Sequence, residues 1–124
     1  MIYHIVMGAP KDEQRWPGDW MRGVLSLCVL AVVAEQETYG YAIAQRLQAA
    51  GLGAVKGGTL YPVLTRLEQE DLLTSTWRDG DAGPGRKFFT VTTAGRAALA
   101  DRSESWLTFA ERATVLLTPN RVRA

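Results

Sequence analysis

Side chains that could carry out acid–base or nucleophilic chemistry are scarce in this chain. Histidine occurs once, at His4, and cysteine occurs once, at Cys28. A Ser-His-Asp triad, a metal site with several histidines and a histidine general base are therefore not expected. No disulfide can close within the chain, and because Cys28 lies in an apolar run we interpret it as a core side chain. Glu68 and Glu70 are interpreted as a solvated helix face and not as a catalytic pair. Because the sequence shows no nucleophile–base pair, phosphate-binding glycine motif or cluster of metal ligands, we expect no enzyme activity, no cofactor and no metal site.

Positively charged side chains are the other group with a clear chemical use, and most of them are arginine. The chain has 14 Lys and Arg residues against 13 Asp and Glu residues, which gives a formal net charge of +1. The lysines are Lys11, Lys56 and Lys87. Arginine suits bidentate contact with phosphate or guanine. Since the overall charge supplies no attraction, a nucleic-acid partner would have to be bound by local patches.

The composition is that of a single globular domain. Of the 124 residues, 47% are hydrophobic and 22% are charged, which is too apolar for a mainly disordered chain. The most apolar run, Val24 to Ala34, is far shorter than the ~20 residues that span a bilayer. The N-terminus lacks the basic start and long apolar stretch of a targeting segment. We therefore expect a cytoplasmic protein without a membrane segment.

Three short helices are predicted to follow an N-terminal arm over residues 1–19. The apolar periodicity predicts these helices at residues 20–35, 39–50 and 59–70. The residues expected to cap their N-termini are Asp19, Thr38 and Thr59. The apolar stripe expected to face the core from the third helix is Leu60, Val63, Leu64 and Leu67. We expect Gly57 and Gly58 to form the turn that precedes this helix.

The pattern then changes from helical to alternating. Two β-branched segments predict strands at residues 73–78 and 86–91, joined by a loop rich in glycine and aspartate. Thr92 or Thr93 is expected to cap a last helix that reaches Leu117, about 38 Å long at 1.5 Å per residue. Its apolar side chains form a short, imperfect heptad pattern, which is typical of a dimerisation helix. These side chains are Leu99, Trp106, Phe109, Ala113 and Leu116.

This order of elements predicts a mainly α fold with a small β-hairpin: a winged helix-turn-helix followed by a long C-terminal dimerisation helix. The boundaries we expect are 1–19 for the arm, 20–91 for the winged helix-turn-helix, 92–118 for the last helix and 119–124 for a tail. The third helix could lie in a DNA major groove about 12 Å wide. Its N-terminal amides suit a phosphate, and the hairpin would bring Arg86 beside the duplex.

The sequence resembles the PadR family of bacterial and archaeal transcriptional regulators over about residues 16–117. The segments that carry the resemblance are Met21-Arg-Gly-Val-Leu25, Tyr39-Gly-Tyr-Ala-Ile43, Gly58-Thr-Leu-Tyr-Pro-Val-Leu-Thr-Arg-Leu-Glu68, Gly83-Pro-Gly-Arg-Lys-Phe-Phe89 and Thr92-Thr-Ala-Gly95. The resemblance implies a dimer that binds DNA and mostly represses transcription, often of genes for detoxification, phenolic acid stress or multidrug export. Some relatives bind flat, hydrophobic compounds between their subunits.

Four positions depart from the family pattern. Asp71 stands where relatives often have glycine, and we expect it to adopt a left-handed cap at a cost of roughly 1–2 kcal/mol. Phe88 and Phe89 replace frequent tyrosines, so a phosphate contact from either hydroxyl is lost. Gly85 replaces a frequent proline, which should loosen the tip of the hairpin.

The residues expected to contact DNA come from the second and third helices, the turn between them and the hairpin. They are Tyr41, Lys56, Gly58, Thr59, Tyr61, Pro62, Thr65, Arg66, Arg86 and Lys87. Other interpretations stay open for several of them. Tyr61 and Pro62 could shape the start of the helix, Tyr41 could be a packing residue, and Arg66 could pair with Glu70. Arg86 and Lys87 could be the solvated end of a hairpin.

The residues expected at the dimer interface are Val24, Leu99, Trp106, Phe109, Ala113 and Leu116. Trp106 also fits an inter-subunit pocket for planar aromatic or hydrophobic effectors, together with Trp16 and Trp20. The function expected is a homodimeric, ligand-responsive repressor of a pseudo-palindromic operator. The alternative is a winged-helix module that binds a protein or sequesters a small molecule without specific DNA binding.

Overall fold

Four helices and a small three-stranded sheet make up the fold, in a computed structural model that describes residues 16–80, 83 and 85–119. In chain order they are α1 (Gly18–Glu35), β1 (Thr38–Tyr39), α2 (Gly40–Ala49), α3 (Gly57–Gln69), β2 (Leu73–Arg78), β3 (Arg86–Val91) and α4 (Thr93–Leu117). The predicted winged helix-turn-helix and the long last helix are confirmed. Since α1 begins at Gly18, the arm expected over residues 1–19 is two residues too long. Its residues 1–15, which include His4 and Lys11, lie outside the described residues, as do residues 120–124 of the expected tail.

One apolar core holds the three-helix part and the sheet together. The stripe predicted on α3 is buried, and it meets the inner faces of α1 and α2. The other buried members of the core are Leu25, Val29, Leu30, Val33, Ile43, Leu47, Leu72, Leu73 and Phe89. Each such side chain stabilises the fold by about 1.5–3 kcal/mol relative to exposure. Cys28 is half-buried against this core, as expected, and burial raises the pKa of its thiol.

The first two predicted N-caps are wrong. Asp19 lies inside the first turn of α1, where it forms an ion pair with Arg22, and the N-cap residue is Pro17. Thr38 is buried in β1 and does not cap α2, because its backbone pairs with β3. Both helices start without a side-chain cap.

The start of α3 also differs from the prediction. Thr59 lies in the first turn, and the N-cap residue is Lys56, whose carbonyl accepts from the N–H groups of Thr59 and Leu60, both at 2.9 Å. Gly57 and Gly58 therefore belong to the helix and not to the turn before it. Two exposed glycines are consequently the first residues of the helix that was expected to contact DNA.

The end of α3 is the left-handed cap that the resemblance to the PadR family implied. Asp71 has φ 62°, its N–H donates to the carbonyl of Glu68 at 3.0 Å, and the N–H of Leu72 donates to the carbonyl of Leu67 at 3.0 Å. This pair of bonds satisfies carbonyls that the helix leaves without a partner. The chain reverses here in one residue and enters β2 with Leu73 buried.

The sheet has the order β1-β3-β2 and is antiparallel throughout. Sequence patterning predicted β2 and β3 but not β1, in which Tyr39 pairs with Phe88. Residues of β3 alternate between the two faces of the sheet. Phe89 is therefore in the core, whereas Arg86 and Phe88 lie on the outer face. We call β2, β3 and the loop between them the wing.

Two ion pairs lie at the connection from α1 to α2 and the sheet. Arg46 of α2 donates to both carboxylate oxygens of Glu35 at 3.0 and 2.9 Å, and these hydrogen bonds lower the pKa of Glu35. Arg78 at the end of β2 donates to Glu37 at 2.6 Å. Both pairs are largely exposed, so each contributes little to stability.

In the described part of the chain, no helix is both long and apolar enough to cross a membrane.

The long helix α4 begins on the turn that follows α3. Of the two predicted capping residues, Thr92 is the N-cap, and its hydroxyl accepts from the N–H of Gly95 at 2.8 Å. The Thr92 hydroxyl also donates to the carbonyl of Asp71 at 2.7 Å, and its N–H donates to the carbonyl of Leu72 at 3.1 Å. Gly95 is buried against the Leu72 carbonyl, so a Cβ at position 95 would overlap that oxygen and would lie 2.7 Å from Val91 Cγ2.

Replacing Gly95 with alanine is expected to lower the free energy of unfolding by roughly 1–3 kcal/mol, because the added methyl group forces α4 away from the turn. Urea denaturation measures this change. Gly58→Ala is the matched control, since a Cβ there meets nothing within 4 Å, and it is expected to leave the stability unchanged or to raise it. If Gly95→Ala were as stable as the wild type, the close packing of α4 on the turn would be contradicted.

Candidate nucleic-acid interface

The exposed face of α3 carries most of the polar side chains that the sequence singled out. Tyr61, Pro62, Thr65 and Arg66 are all exposed along this face, opposite the buried apolar stripe. The alternative in which Arg66 pairs with Glu70 is not found, since neither residue takes part in an ion pair within the described residues. The face can therefore donate hydrogen bonds and present one positive charge.

A groove of about 500 Å³ lies between the N-termini of α2 and α3 on one side and the wing on the other. We call it the wing groove. The residues that line it are Tyr39, Gly40, Tyr41, Tyr61, Trp77, Gly85, Arg86 and Lys87. It brings together four of the predicted site residues from three separate elements. Lys56 and Thr59 are not among them, because they line a second cavity of about 320 Å³ beside the start of α1.

Arg86 is held at the edge of the wing groove by an aromatic ring. Its guanidinium carbon lies 4.5 Å from the centre of the Tyr39 ring, and Tyr39 in turn packs against Phe88 at 5.2 Å between ring centres. Arg78 lies over the other side of this pair, 4.4 Å from the Phe88 ring. The unexpected strand β1 has a structural consequence here, because it supplies the ring that orients Arg86.

Lys87 has a different environment from Arg86, although the sequence suggested one shared role. Its Nζ lies 3.4 Å from Oε1 of Glu68, and the Ser75 hydroxyl donates to Oε2 of the same carboxylate at 2.6 Å. Glu68 thus connects α3 to both strands of the wing. Its interpretation as a solvated helix face is wrong, because the side chain is half-buried between partners. The charge of Lys87 is largely offset by this contact.

Tyr61 packs on the first residue of α2. Its ring lies so close to Gly40 that a Cβ there would overlap the hydroxyl and would come within 2.7 Å of Cζ. The other side of the ring stays open, since 51% of the residue is exposed. Tyr41 is more exposed still, and its hydroxyl accepts from Nε2 of Gln45 at 3.1 Å. Both hydroxyls keep a hydrogen atom to donate into the groove.

The residues predicted for a dimer interface are only partly gathered on one surface. Phe109 and Leu116 are 67% and 80% exposed on α4, whereas Leu99 packs against the core of its own chain. Val24 on α1 and Ala113 on α4 are half-buried, and Trp106 is 37% exposed. The chain thus leaves an apolar surface along the second half of α4. The interface stays a prediction.

The predicted ligand pocket has two of its three tryptophans together. The rings of Trp16 and Trp20 lie 6.0 Å apart at the start of α1, and Nε1 of Trp16 donates to the carbonyl of Gly51 at 2.9 Å. Trp106 has no aromatic partner within the described residues. In the same residues, no cluster of three or more His, Cys, Asp or Glu side chains could hold a metal ion.

Two side chains of the groove region escaped the sequence analysis. Trp77 was assigned only to a strand, and Glu68 only to a solvated face. The alternation of β2 contains a signal for Trp77, since residues 73, 75 and 77 share the face toward α3 and residue 77 lies beyond the core. No comparable signal exists for Glu68, because its partners Ser75 and Lys87 are distant in sequence.

Replacing Gly40 with alanine is expected to cost about 1 kcal/mol of stability, because the methyl group and the Tyr61 ring cannot occupy the same space. The same substitution in a Tyr61→Ala background is expected to cost almost nothing. Urea denaturation of the two single variants and the double variant measures this coupling. An equal cost in both backgrounds would mean that the two residues do not press on each other.

Comparison with known proteins relates this arrangement to transcriptional regulators. The model of the Transcriptional regulator PadR-like family matches residues 29–101. The transcriptional regulator Rv3488 of Mycobacterium tuberculosis is 40% identical over 83 residues, which cover 67% of this chain and 76% of that protein.

Solved structures agree with the family match over most of the chain. A PadR family transcriptional regulator from Eggerthella lenta has a TM-score of 0.72 and 31% identity, and the alignment covers 81% of this chain and 87% of that one. A PadR-like transcription factor from Bacteroides fragilis has a TM-score of 0.68 and 35% identity, with 80% and 96% covered. The protein described here therefore belongs to the PadR-like family of transcriptional regulators.

Proposed function

We propose that the protein is a homodimeric repressor that reads a pseudo-palindromic operator with α3 and clamps the DNA backbone with the wing. The observation that carries this proposal is the wing groove, in which Tyr41, Tyr61 and Arg86 converge beside the exposed face of α3. Side chains that donate hydrogen bonds from three elements suit a phosphate backbone next to a major groove. No catalytic step is part of the proposal.

The dimensions of α3 support a role in reading DNA. The helix has 13 residues, about 20 Å at 1.5 Å per residue, and one side of it is free of apolar packing. Thr59 and Thr65 suit contacts with base edges or phosphates, and Arg66 suits guanine. The exposed Gly58 lets the backbone of the first turn approach the DNA closely, and Lys56 adds a positive charge just before it.

Arg86 and Lys87 have separate parts in this proposal. Arg86 contacts a phosphate, because its guanidinium is exposed and oriented by Tyr39. Lys87 holds the wing against α3 through Glu68 and contributes little net charge toward the DNA. This division refines the expectation that both side chains are phosphate contacts.

Fluorescence anisotropy of the protein on DNA from upstream of its own gene tests the proposal, at about 50 and 200 mM salt, with a scrambled duplex for comparison. Binding to the upstream DNA is expected to be at least about tenfold tighter than to the scrambled duplex. Arg86→Gln should weaken both complexes and reduce the salt slope by about 1.8, since each dimer loses two phosphate contacts at about 0.9 each.

The matched control is the double variant Glu68→Gln/Lys87→Gln, which removes the neighbouring charges without changing the net charge. Its salt slope is expected to equal that of the wild type. A loss of slope as large as that of Arg86→Gln would assign Lys87 to a phosphate instead. Equal, weak and salt-insensitive binding to both duplexes would favour the alternative, a module that binds a protein or sequesters a small molecule.

The dimer in this proposal forms through α4 together with α1. The exposed apolar surface of α4 supports it, because none of the residues that the structure describes buries Phe109 or Leu116. Large exposed apolar surfaces of this kind mark sites of association. Two copies related by a two-fold axis would place their α3 helices one turn of DNA, or a multiple of it, apart.

Sedimentation at micromolar concentration is expected to give a dimer for the wild type and a monomer for Phe109→Asp, because a carboxylate cannot be buried in an apolar seam without a partner. Thr108→Asp is the control, since Thr108 lies on the opposite side of the heptad pattern. If Phe109→Asp remained a dimer of undiminished stability, the seam would have to lie elsewhere.

The response to a ligand belongs to the same proposal. A planar aromatic or hydrophobic effector would bind between the subunits near Trp106, with Trp16 and Trp20 contributing from α1. It would change the angle between the two α4 helices, and for this it must bind the two states of the dimer unequally. Operator affinity that no such compound alters would leave repression that is constitutive or set by abundance.

A further inference from the structure

Trp77 is a large apolar side chain in the wing that is not packed in the core. It is the second-last residue of β2, and 71% of it is exposed. Among the described residues its ring stacks on no other aromatic ring and carries no cation. The indole therefore contributes little to the core, whereas its neighbour Arg78 is tied to Glu37.

The direction of Trp77 follows from the register of the sheet. Trp77 pairs with Lys87, and side chains on paired positions share a face. Lys87 reaches Glu68 of α3, so this face is the one toward α3. Trp77 thus lines the wing groove across from Tyr61 of α3 and Tyr41 of α2. The outer face of the same strand carries the smaller Thr76.

The chemistry of the wing groove matches one kind of occupant. Its lining offers the hydroxyls of three tyrosines, the indole N–H of Trp77 and the Arg86 guanidinium, and among the described residues it contains no carboxylate. The lining thus combines hydrogen-bond donors and a cation with an apolar ring, which suits a chain of alternating phosphates and sugars. The groove also lies between the helix that would enter the major groove and the wing, where the DNA backbone separates the two grooves.

We propose that Trp77 is a DNA-contact residue that packs its ring against the deoxyribose of the strand crossing the wing groove, whose lining also includes Arg86. This inference rests on the proposed function and names a contact that its other residues do not make. The contact carries no charge and touches no base, so it positions the duplex and adds affinity for any sequence.

Anisotropy with Trp77→Ala and its control Thr76→Ala tests the inference, because the two positions are adjacent on opposite faces of one strand. Trp77→Ala is expected to weaken binding to the upstream and the scrambled duplex alike, by about tenfold. Its salt slope is expected to match that of the wild type, since no phosphate contact is removed. Thr76→Ala is expected to bind both duplexes as the wild type does.

A direct measurement uses protein labelled with 5-fluorotryptophan. Trp77→Phe identifies the fluorine resonance of Trp77 among those of the four tryptophans. Addition of one equivalent of duplex is expected to shift this resonance and to protect it from a soluble paramagnetic agent. The measurement does not depend on the folding of an alanine variant.

Three results separate the inference from the proposal on which it depends. If the wild type binds DNA and Arg86→Gln weakens binding, but Trp77→Ala binds like Thr76→Ala, the role of Trp77 is overturned and the proposed function stands. A Trp77 resonance that neither shifts nor becomes protected in the complex also overturns it. If the wild type binds neither duplex at either salt concentration, the proposed function and the inference fail together.

Discussion

The close contact between Gly95 and the carbonyl of Leu72 determines how the long helix joins the rest of the chain. Only a residue without a side chain lets the first turn of α4 lie directly on the turn after α3. Thr92 completes this junction with three hydrogen bonds, two of them to backbone carbonyls of Asp71 and Leu72. These contacts therefore fix the orientation of α4 relative to the end of α3. Every role proposed for α4 depends on that rigid connection.

The same helix α3 is held at two further places, and each involves a residue of the proposed interface. Near its start, Tyr61 lies on Gly40 and fixes the spacing to α2. Farther along, Glu68 binds Ser75 and Lys87 and fixes the wing. Tyr61 thus both supports the helix and lines the wing groove, whereas Glu68 supports the helix without lining the groove. Among the described residues, Arg86 and Trp77 form no hydrogen bond or ion pair with α3, so both remain available to a ligand.

Sequence patterning predicted the elements with a clear period and one cap with a clear partner. The stripe of α3, the two long strands and the Thr92 cap all have local causes, whereas the left-handed Asp71 was expected only from the resemblance to the PadR family. Other features arise from contacts between distant residues. β1 is only two residues long, too short for any alternation, and exists because β3 pairs with it. Thr38 and Thr59 are good capping residues, but Thr38 pairs with β3 and Thr59 lies inside α3 because that helix starts earlier. The contacts of Glu68 with Ser75 and Lys87 join three segments that are separate in sequence.

Because α4 is long and contacts the turn after α3 at Gly95, we take Gly95 as the pivot for a rotation of this helix. Leu116 lies 21 residues beyond the pivot, about 32 Å at 1.5 Å per residue, whereas Tyr61 lies about 15 Å along α3 on the other side of it. If α4 and the whole winged helix turn as one body about Gly95, a movement at the far end of α4 is roughly halved at the start of α3. Displacements of several ångströms near Leu116 thus become shifts at α3 smaller than one base-pair step, about 3.4 Å. With this geometry, a large movement near Leu116 would change the position of α3 only slightly.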